Sequence, residues 1–381
     1  MRILTLCYEY PPLGGGGGRV AQSVAEQLAS RGHQVRVQTA ALGWSSVRET
    51  IHGVEICRTF SGRRVPDTCT VPEMGAYLAT SFLPTLHHIR QWKPDVIHAH
   101  FAMPTGVLAC AAHLITRVPY VLTAHLGDVP GGVPDQTDAL FQIVGPVAHQ
   151  IWRHAARATA VSSFVQELAQ DAYARPVVRI LNGVDLRDAA SSITSDRREP
   201  RFIFLGRFNP QKNPVYLISL LSRMTDLPWK LFMIGDGPLM PEVRTEIARH
   251  HLEDRVTCTG WIDSAKVNAL LRESDVLCMP SLSEGMPVAG VEALKHGLAI
   301  AGSDIPGLRD VIENGANGWL LPLSNEPLFC EKLRSLCTEP ARLRSMREAS
   351  LRKARNFDLS VIVSQYEKVL QEAIAASPLW K

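Results

Sequence analysis

At 381 residues the chain is too long for one ordinary hydrophobic core and divides into two domains, each of roughly 150–200 residues. Apolar residues make up 46% and charged residues 20%, which excludes an intrinsically disordered chain. The formal net charge is only +3 and the arginines are scattered, so nucleic acid is excluded as a partner. The densest basic cluster, Arg342 to Arg355, is interleaved with apolar residues at helical spacing and reads as a solvated helix face.

The predicted elements alternate strand and helix almost throughout. Ile3 to Cys7 is a strand, followed by a Pro/Gly loop over Tyr8 to Gly18 and a helix over Arg19 to Arg31, in which Val20, Val24 and Leu28 recur on one face. Strands follow at Val35 to Thr39 and Val54 to Thr59. Met74 to Gln91 reads as a helix interrupted near Pro84. Asp95 to Ala99 is a strand, Gly106 to Ile115 a helix and Tyr120 to Thr123 a strand, with a Gly/Pro loop over Gly127 to Pro134. A helix runs to Ala156. A strand around Ala158 to Val161 precedes a capping box formed by Ser163 and Gln166. Val178 to Leu181 closes the first half.

The stretch 188–200 has almost no large apolar residue and reads as a linker. Beyond it, strands are predicted at Arg201 to Leu205, Lys230 to Ile234, Val256 to Thr259, Val276 to Met279 and Leu298 to Ala301. Asn213-Pro214 is a helix start, with proline at the first helical position. From Pro327 to Ala376 the chain is helical. The predicted fold class is α/β: two doubly wound, Rossmann-like domains facing a central cleft. The boundaries are 1–187 for the first domain, 188–200 for the linker and 201–360 for the second, with a C-terminal helix over 361–381 crossing back to the first domain.

The eight cysteines form no Cys-x-x-Cys and sit partly inside apolar strands, a reduced, cytoplasmic pattern with no zinc spacing. MRILTLC is one short strand without an h-region, so no signal peptide is expected. No apolar run reaches the ~18 residues that span a bilayer, which leaves peripheral contact with an inner membrane face as the membrane-associated alternative.

In an open parallel sheet, ligands bind outside the carboxyl ends of the strands, so strand-end residues carry the functional argument. The run Gly14 to Gly18 lies between a strand and a helix. Its N–H groups suit a phosphate, though a flexible turn is the rival reading. The second strand, HQVRVQTAA, ends without the acid that a dinucleotide fold uses on a ribose, and no P-loop sequence occurs. Arg207 and Lys212 in FLGRFNPQKNP pair a planar guanidinium with a point charge, a combination suited to a diphosphate. Glu284 and Glu292 in EGMPVAGVE are separated by seven residues around a helix start at Pro287. They suit different hydroxyls of one extended ligand, and N–H groups from Gly285 to Val288 point to the same place. His125 and Asp128 follow a strand in TAHLGD, and His98 and His100 end another in VIHAH. No Asp-x-Asp occurs, so no metal and no cofactor is expected, and a bound diphosphate would be neutralised by Arg207, Lys212 and helix dipoles.

Together these segments resemble the family 4 retaining glycosyltransferases, which have the GT-B fold. The resemblance covers nearly the whole chain: YPPLGGGGGRV, RGHQV, TAHLGD, NGVD at 182–185, LGRFNPQK, IGDGP, CTGW, PSLSEGMPVAGVEALKHG and NGWLLP. It implies transfer of a sugar from a nucleotide diphosphate sugar, UDP-linked in preference to GDP-linked, to a hydroxyl acceptor in glycan, glycolipid or natural-product synthesis, with retention of configuration. By resemblance, Gly15 and Gly16 present amides to the donor. Arg207 and Lys212 grip the diphosphate. Glu284 meets the sugar hydroxyls, backbone at Gly285, Met286, Pro287 and Val288 lines phosphate and sugar, and Glu292 binds the ribose. His125 supports the developing oxocarbenium charge. Apart from the resemblance, Asp128, Arg63, Arg64 and Tyr77 are read as acceptor-side candidates, with an ordinary packed helix and a basic loop as the rival reading of the last three. The chain departs from the family in having Asn-Pro after Lys212, where Gly is commoner, Met286 where Phe or Tyr is common, and a long glycine run. A GT-B-like epimerase and a non-catalytic sugar-nucleotide binding protein are the competing readings.

Overall fold

The computed structural model describes residues 1–44, 46–66, 68–133, 139–193 and 199–376. The chain divides into two units: Met1–Gly183 with Leu359–Lys381, and Val184–Asp358. The first division therefore falls at Gly183, before the sequence-based boundary at 187, and the return falls at Leu359. Pro134 and the middle of the expected linker, 194–198, lie outside the described residues.

The first unit is built from β1 (Arg2–Leu6), α1 (Gly16–Ser30), β2 (Gln34–Leu42), β3 (Val47–Ile51), β4 (Val54–Arg63), α2 (Val71–Trp92), β5 (Val96–His100), α3 (Val107–Thr116), β6 (Tyr120–Ala124), α4 (Ala139–His154), β7 (Arg157–Ala160), α5 (Ser163–Tyr173) and β8 (Val178–Arg179). Its sheet has the order β3-β4-β2-β1-β5-β6-β7-β8. All neighbours are parallel except β3, which runs antiparallel to β4. β5 and β6 are buried at every residue, as strands covered on both faces must be.

The second unit comprises β9 (Arg201–Leu205), α6 (Pro214–Ser222), β10 (Lys230–Ile234), α7 (Met240–Arg249), β11 (Val256–Gly260), α8 (Ser264–Arg272), β12 (Val276–Met279), α9 (Val288–Lys295), β13 (Ala299–Ser303), β14 (Gly318–Leu321), α10 (Glu326–Thr338) and α11 (Pro340–Ala354). Its sheet is wholly parallel, in the order β11-β10-β9-β12-β13-β14. Phe202, Phe204, Phe208, Leu217 and Trp229 fill one core layer, and the Trp229 indole N–H donates to the Met224 carbonyl at 2.8 Å.

The last helix, α12 (Leu359–Ala375), belongs to the first unit. It buries Ile362, Val363, Tyr366, Val369 and Leu370 against α1 and the β5–β7 strands, and Glu367 pairs with both Arg31 and His33.

Several elements differ from the sequence expectation. α1 starts at Gly16, so most of the glycine run is the helix's first turn rather than loop. α2 continues through Pro84, because Tyr77, Ser81, Thr85, Leu86 and Ile89 stay buried on both sides of the proline and packing outweighs the lost hydrogen bond. The cap of α5 is Ser162, whose hydroxyl accepts from the Val165 N–H at 3.1 Å; the Gln166 amide instead donates to the Val177 carbonyl at 2.7 Å. The edge strands β3 and β14 have no strong apolar alternation and were not anticipated.

In each sheet the chain order reverses beside the first strand, which gives a switch point between β1 and β5 and another between β9 and β12. Loops leaving those strands are where an open α/β sheet binds ligands.

Candidate functional site

The first unit's set lies on the loops after β1, β5 and β6. The glycines there divide into two kinds. A Cβ on Gly18 would lie 1.7 Å from the Glu9 carbonyl oxygen, and one on Gly17 would lie 2.5 Å from Phe101 Cζ, so α1 can begin here only without side chains. Gly15 is different. It caps α1, is exposed, and a Cβ on it would meet nothing within 4 Å. Gly16 beside it is also exposed. No side chain caps α1 and its first turn holds no acid, so the positive end of the helix dipole is uncompensated at these two glycines.

His125 follows β6 and is nearly buried, with 8% exposure. Phe101 stacks on its ring at 4.4 Å with an interplanar angle of 28°. Phe101 reaches that position with φ of 74°, a strained conformation for a residue with a side chain, held by its N–H to the Thr123 carbonyl at 3.1 Å. Burial pushes the His125 imidazole down to about 4, so the ring is neutral at neutral pH.

Asp128 is turned inward. Its Oδ1 accepts the Ala102 N–H at 2.7 Å and its Oδ2 accepts the His125 N–H at 2.8 Å. Burial raises its carboxyl to about 7 against the pull of those amides. The residue expected at the acceptor therefore fixes the loop that carries His125.

Two more residues named for the acceptor side are turned inward in the same way. Arg63 is fully buried and donates from Nη2 to the carbonyls of Pro66 and Thr68, both at 3.0 Å, bracing its own loop. Tyr77 is 1% exposed and is a core residue of α2 whose hydroxyl donates to the Gln38 carbonyl at 3.4 Å. Long amphipathic side chains look solvent-facing in a sequence, and only the fold shows which way they turn. Arg64 is exposed.

The second unit's set lies on the loops after β9 and β12. Gly206 and the half-buried Arg207 follow β9 directly. A single turn, Pro210–Lys212, is capped by Asn209, whose side chain accepts the Lys212 N–H at 3.0 Å. Asn213 then adopts φ of 53°, a left-handed conformation that asparagine tolerates, so Asn in place of the commoner Gly keeps the turn. Pro214 opens α6 as expected.

The β12 loop is stitched to this turn. The Leu282 N–H donates to the Gln211 carbonyl at 2.8 Å, and the Gln211 amide donates to the Ser283 carbonyl at 3.0 Å. Glu284 is buried at 5% exposure, and its Oε1 accepts from Lys212 Nζ at 2.6 Å and from Ser281 Oγ at 2.7 Å. Gly307 makes room for this loop, since a Cβ there would lie 1.7 Å from the Glu284 carbonyl oxygen. Gly285, Met286 and Pro287 are buried and Val288 half-buried. Pro287 caps α9 without a side-chain hydrogen bond and with no acid in the first turn, a second helix start available to an anion. Glu292 is half-buried in α9, separate from Glu284 in the preceding loop. Phe101 and Ser281 carry no sequence signal of their own, and Gly17 is covered only as part of the glycine run. In the second unit, Lys212, Ser281 and Glu284 are thus in direct contact on the loops that leave the β9–β12 switch point. Among the described residues no group of acids, histidines and cysteines is arranged to hold a metal.

Comparison with known proteins covers most of the chain. Residues 14–188 match the family model described as Glycosyltransferase Family 4, and residues 187–353 match that described as Glycosyl transferases group 1. The chain belongs to the family 4 glycosyltransferases. Its relatives in this family include the phosphatidyl-myo-inositol mannosyltransferase of Mycobacterium leprae, 27% identical over 392 residues that cover 99% of this chain and 98% of the relative. Another is the N-acetyl-alpha-D-glucosaminyl L-malate synthase of Bacillus anthracis, 23% identical with 98% of this chain and 97% of the relative covered. Among solved structures, a sucrose-phosphate synthase from Thermosynechococcus elongatus superposes with a TM-score of 0.82 at 20% identity, covering 99% of this chain and 100% of that one. Anabaena HepE in complex with UDP and glucose gives 0.77 at 20% identity, with coverage of 97% and 99%. The fold of this family 4 enzyme is GT-B, two parallel-sheet α/β domains.

Proposed function

We propose that this glycosyltransferase takes its sugar from a nucleotide diphosphate sugar and transfers it to a hydroxyl acceptor with retention of anomeric configuration. The observation that carries the reading is the contact of Lys212 with Glu284 at the β9–β12 switch point, beside Arg207 and the uncapped start of α9. A cation, a guanidinium and a helix N-terminus match the charge that builds on a departing diphosphate. Glu284 and Glu292 offer carboxylates to hydroxyls of the sugar and the ribose. In this reading no metal is needed, because the lost charge is met by Arg207, Lys212 and helix dipoles, and no cofactor beyond the co-substrate takes part. Gly15, Gly16 and His125 are the first unit's contribution. UDP-sugars are favoured as donors and GDP-sugars are the alternative. The acceptor carries a free hydroxyl and is either soluble or lipid-linked; a lipid-linked one calls for peripheral membrane contact, and no described helix is long and apolar enough to cross a membrane. Cytoplasmic residence fits the cysteine pattern.

The test is incubation of the protein with UDP-, GDP- and ADP-sugars. Slow release of nucleoside diphosphate, unaffected by EDTA, is the expected result, together with a rise in Tm with the matching nucleotide. Conversion of a donor to its epimer would favour the epimerase reading. Failure of every nucleotide to stabilise the protein overturns the proposal. Proton NMR of the product formed with a hydroxyl acceptor reports the anomeric configuration.

A further inference from the structure

His98 and His100 end β5 and both are fully buried. Register sets His100 opposite Thr123 on β6, and Thr123 opposite Thr159 on β7. The chain of side chains that results is specific. His98 Nε2 is 2.8 Å from Thr123 Oγ1, which is 2.8 Å from Thr159 Oγ1. His100 Nδ1 is 3.4 Å from His125 Nε2, and the rings of His98 and His100 lie 4.3 Å apart. His100 Nε2 is buried and has no hydrogen-bond partner.

Burial holds both His100 and His125 well below the usual imidazole range, so each ring is neutral and carries one N–H. Two arrangements are then open. If the His100 proton were on Nε2, a buried N–H would stand unpaired, which folded proteins rarely tolerate. If it is on Nδ1, it donates to His125 Nε2 and only a lone pair at His100 Nε2 goes unused, the lesser penalty. His125 must then carry its own proton on Nδ1. That nitrogen faces the start of α1, since a Cβ on Gly17 would lie 3.3 Å from it. Phe101 is stacked on the same ring.

We propose that His100 is a positioning residue that fixes His125 as its Nδ1–H tautomer, so that His125 offers an N–H donor, rather than a base, to a hydroxyl or phosphate oxygen of the substrate at the glycine-rich start of α1. The inference rests on His125 belonging to the active site. Its role is then to hold an oxygen, and proton removal from the acceptor falls to another group.

The test has two readouts. In the intact chain labelled with 15N-histidine, the His125 spectrum is expected to show a protonated Nδ1 and a bare Nε2 between pH 6 and 8; a protonated Nε2 overturns the proposal without any variant. In kinetics, His100→Ala is expected to lower kcat by about tenfold, the worth of one hydrogen bond, and to let the His125 tautomers mix. His100→Asn, whose amide N–H can stand in for Nδ1–H, is expected to restore both rate and tautomer. Equal impairment of the two variants with an unchanged His125 spectrum overturns the positioning role. An unchanged turnover in His125→Ala overturns the reading of the site on which the donor role rests, whereas the tautomer spectrum reports on His100 alone.

Discussion

Lys212 Nζ and Glu284 Oε1 lie 2.6 Å apart, although their residues are separated by 72 positions in sequence and leave different strands of the second sheet. Their side chains are 24% and 6% exposed. The Glu284 carboxylate is thus held by one ammonium and one hydroxyl where water is scarce. On the proposed function, a diphosphate arriving there would meet a cation already fixed by its neighbours, and little reorganisation would be required when charge develops.

Replacement Lys212→Ala is expected to lower turnover about 100-fold or more, the loss typical of removing one group that stabilises developing negative charge. Lys212→Arg should recover only part of it, because the planar guanidinium does not reproduce a compact ammonium at Glu284. Steady-state rates with a saturating donor check this, and an unchanged kcat in Lys212→Ala removes the residue from the mechanism.

The glycine run gives a contrast between fold and function within four residues. Gly18→Ala is expected to prevent folding of the first unit, since its Cβ would lie 1.7 Å from the Glu9 carbonyl oxygen and backbone cannot move aside cheaply. Gly15→Ala meets no neighbour within 4 Å, so its cost should stay near the ~1 kcal/mol of a poorer helix cap. The methyl would nevertheless stand in front of an exposed helix start, and the donor KM should rise about tenfold or more, as for a lost hydrogen bond to a charged group. Melting curves and donor titrations of the two variants test the distinction; equal folding defects would refute it.

How much was readable beforehand depended on whether a residue's role was local. β9, β10 and β12 begin and end where their apolar runs do, and the strand-end positions of Arg207, Lys212 and Glu284 follow from those runs. The stitching of Gln211 to Ser283, or of Glu284 to Ser281 and Lys212, depends on β9 and β12 being neighbours, which no local pattern encodes. The positive φ of Phe101 is equally invisible, since phenylalanine is a poor candidate for it. For Arg63 and Tyr77 the rival reading, a packed helix beside a basic loop, matches their burial, and the fold uses their polar ends to hold its own carbonyls.

Asp128 offers a test of the loop that carries His125. Asp128→Asn keeps the shape but can turn an NH2 toward the Ala102 or His125 amide, so one donor faces another in a buried place. The expected loss is about 1–3 kcal/mol, a fall in Tm of several degrees. His125 would lose its fixed position and kcat should fall with it. Because burial raises the Asp128 carboxyl to about 7 from 3.8, its contribution to stability is fully present below pH 3.8 and declines as pH rises to about 7. The stability difference between wild type and Asp128→Asn should therefore change across that window and level off above it, which melting curves from pH 4 to 8 would reveal.

Arg347 and Asp275 supply a prediction about stability without chemistry. Their ion pair, at 2.5 Å, is 6% and 3% exposed. Arg347 also donates from Nε to the Gly297 carbonyl at 2.8 Å, while Asp275 Oδ2 accepts the Arg201 N–H at the start of β9 at 2.9 Å. The pair thus fastens α11 to the amino ends of β9 and β12, the edge opposite the candidate site. Removing one partner leaves the other charge buried, and Arg347→Met should cost about 3–5 kcal/mol. The double variant Arg347→Met, Asp275→Asn should recover part of that loss, since no unpaired charge remains. Chemical denaturation of the wild type and the two variants measures both effects. Donor KM in the folded fraction should stay at the wild-type value, because the carboxyl ends of β9 and β12 keep their own hydrogen bonds to each other's loops. A KM that rose in step with the lost stability would show instead that the two edges of the sheet are coupled.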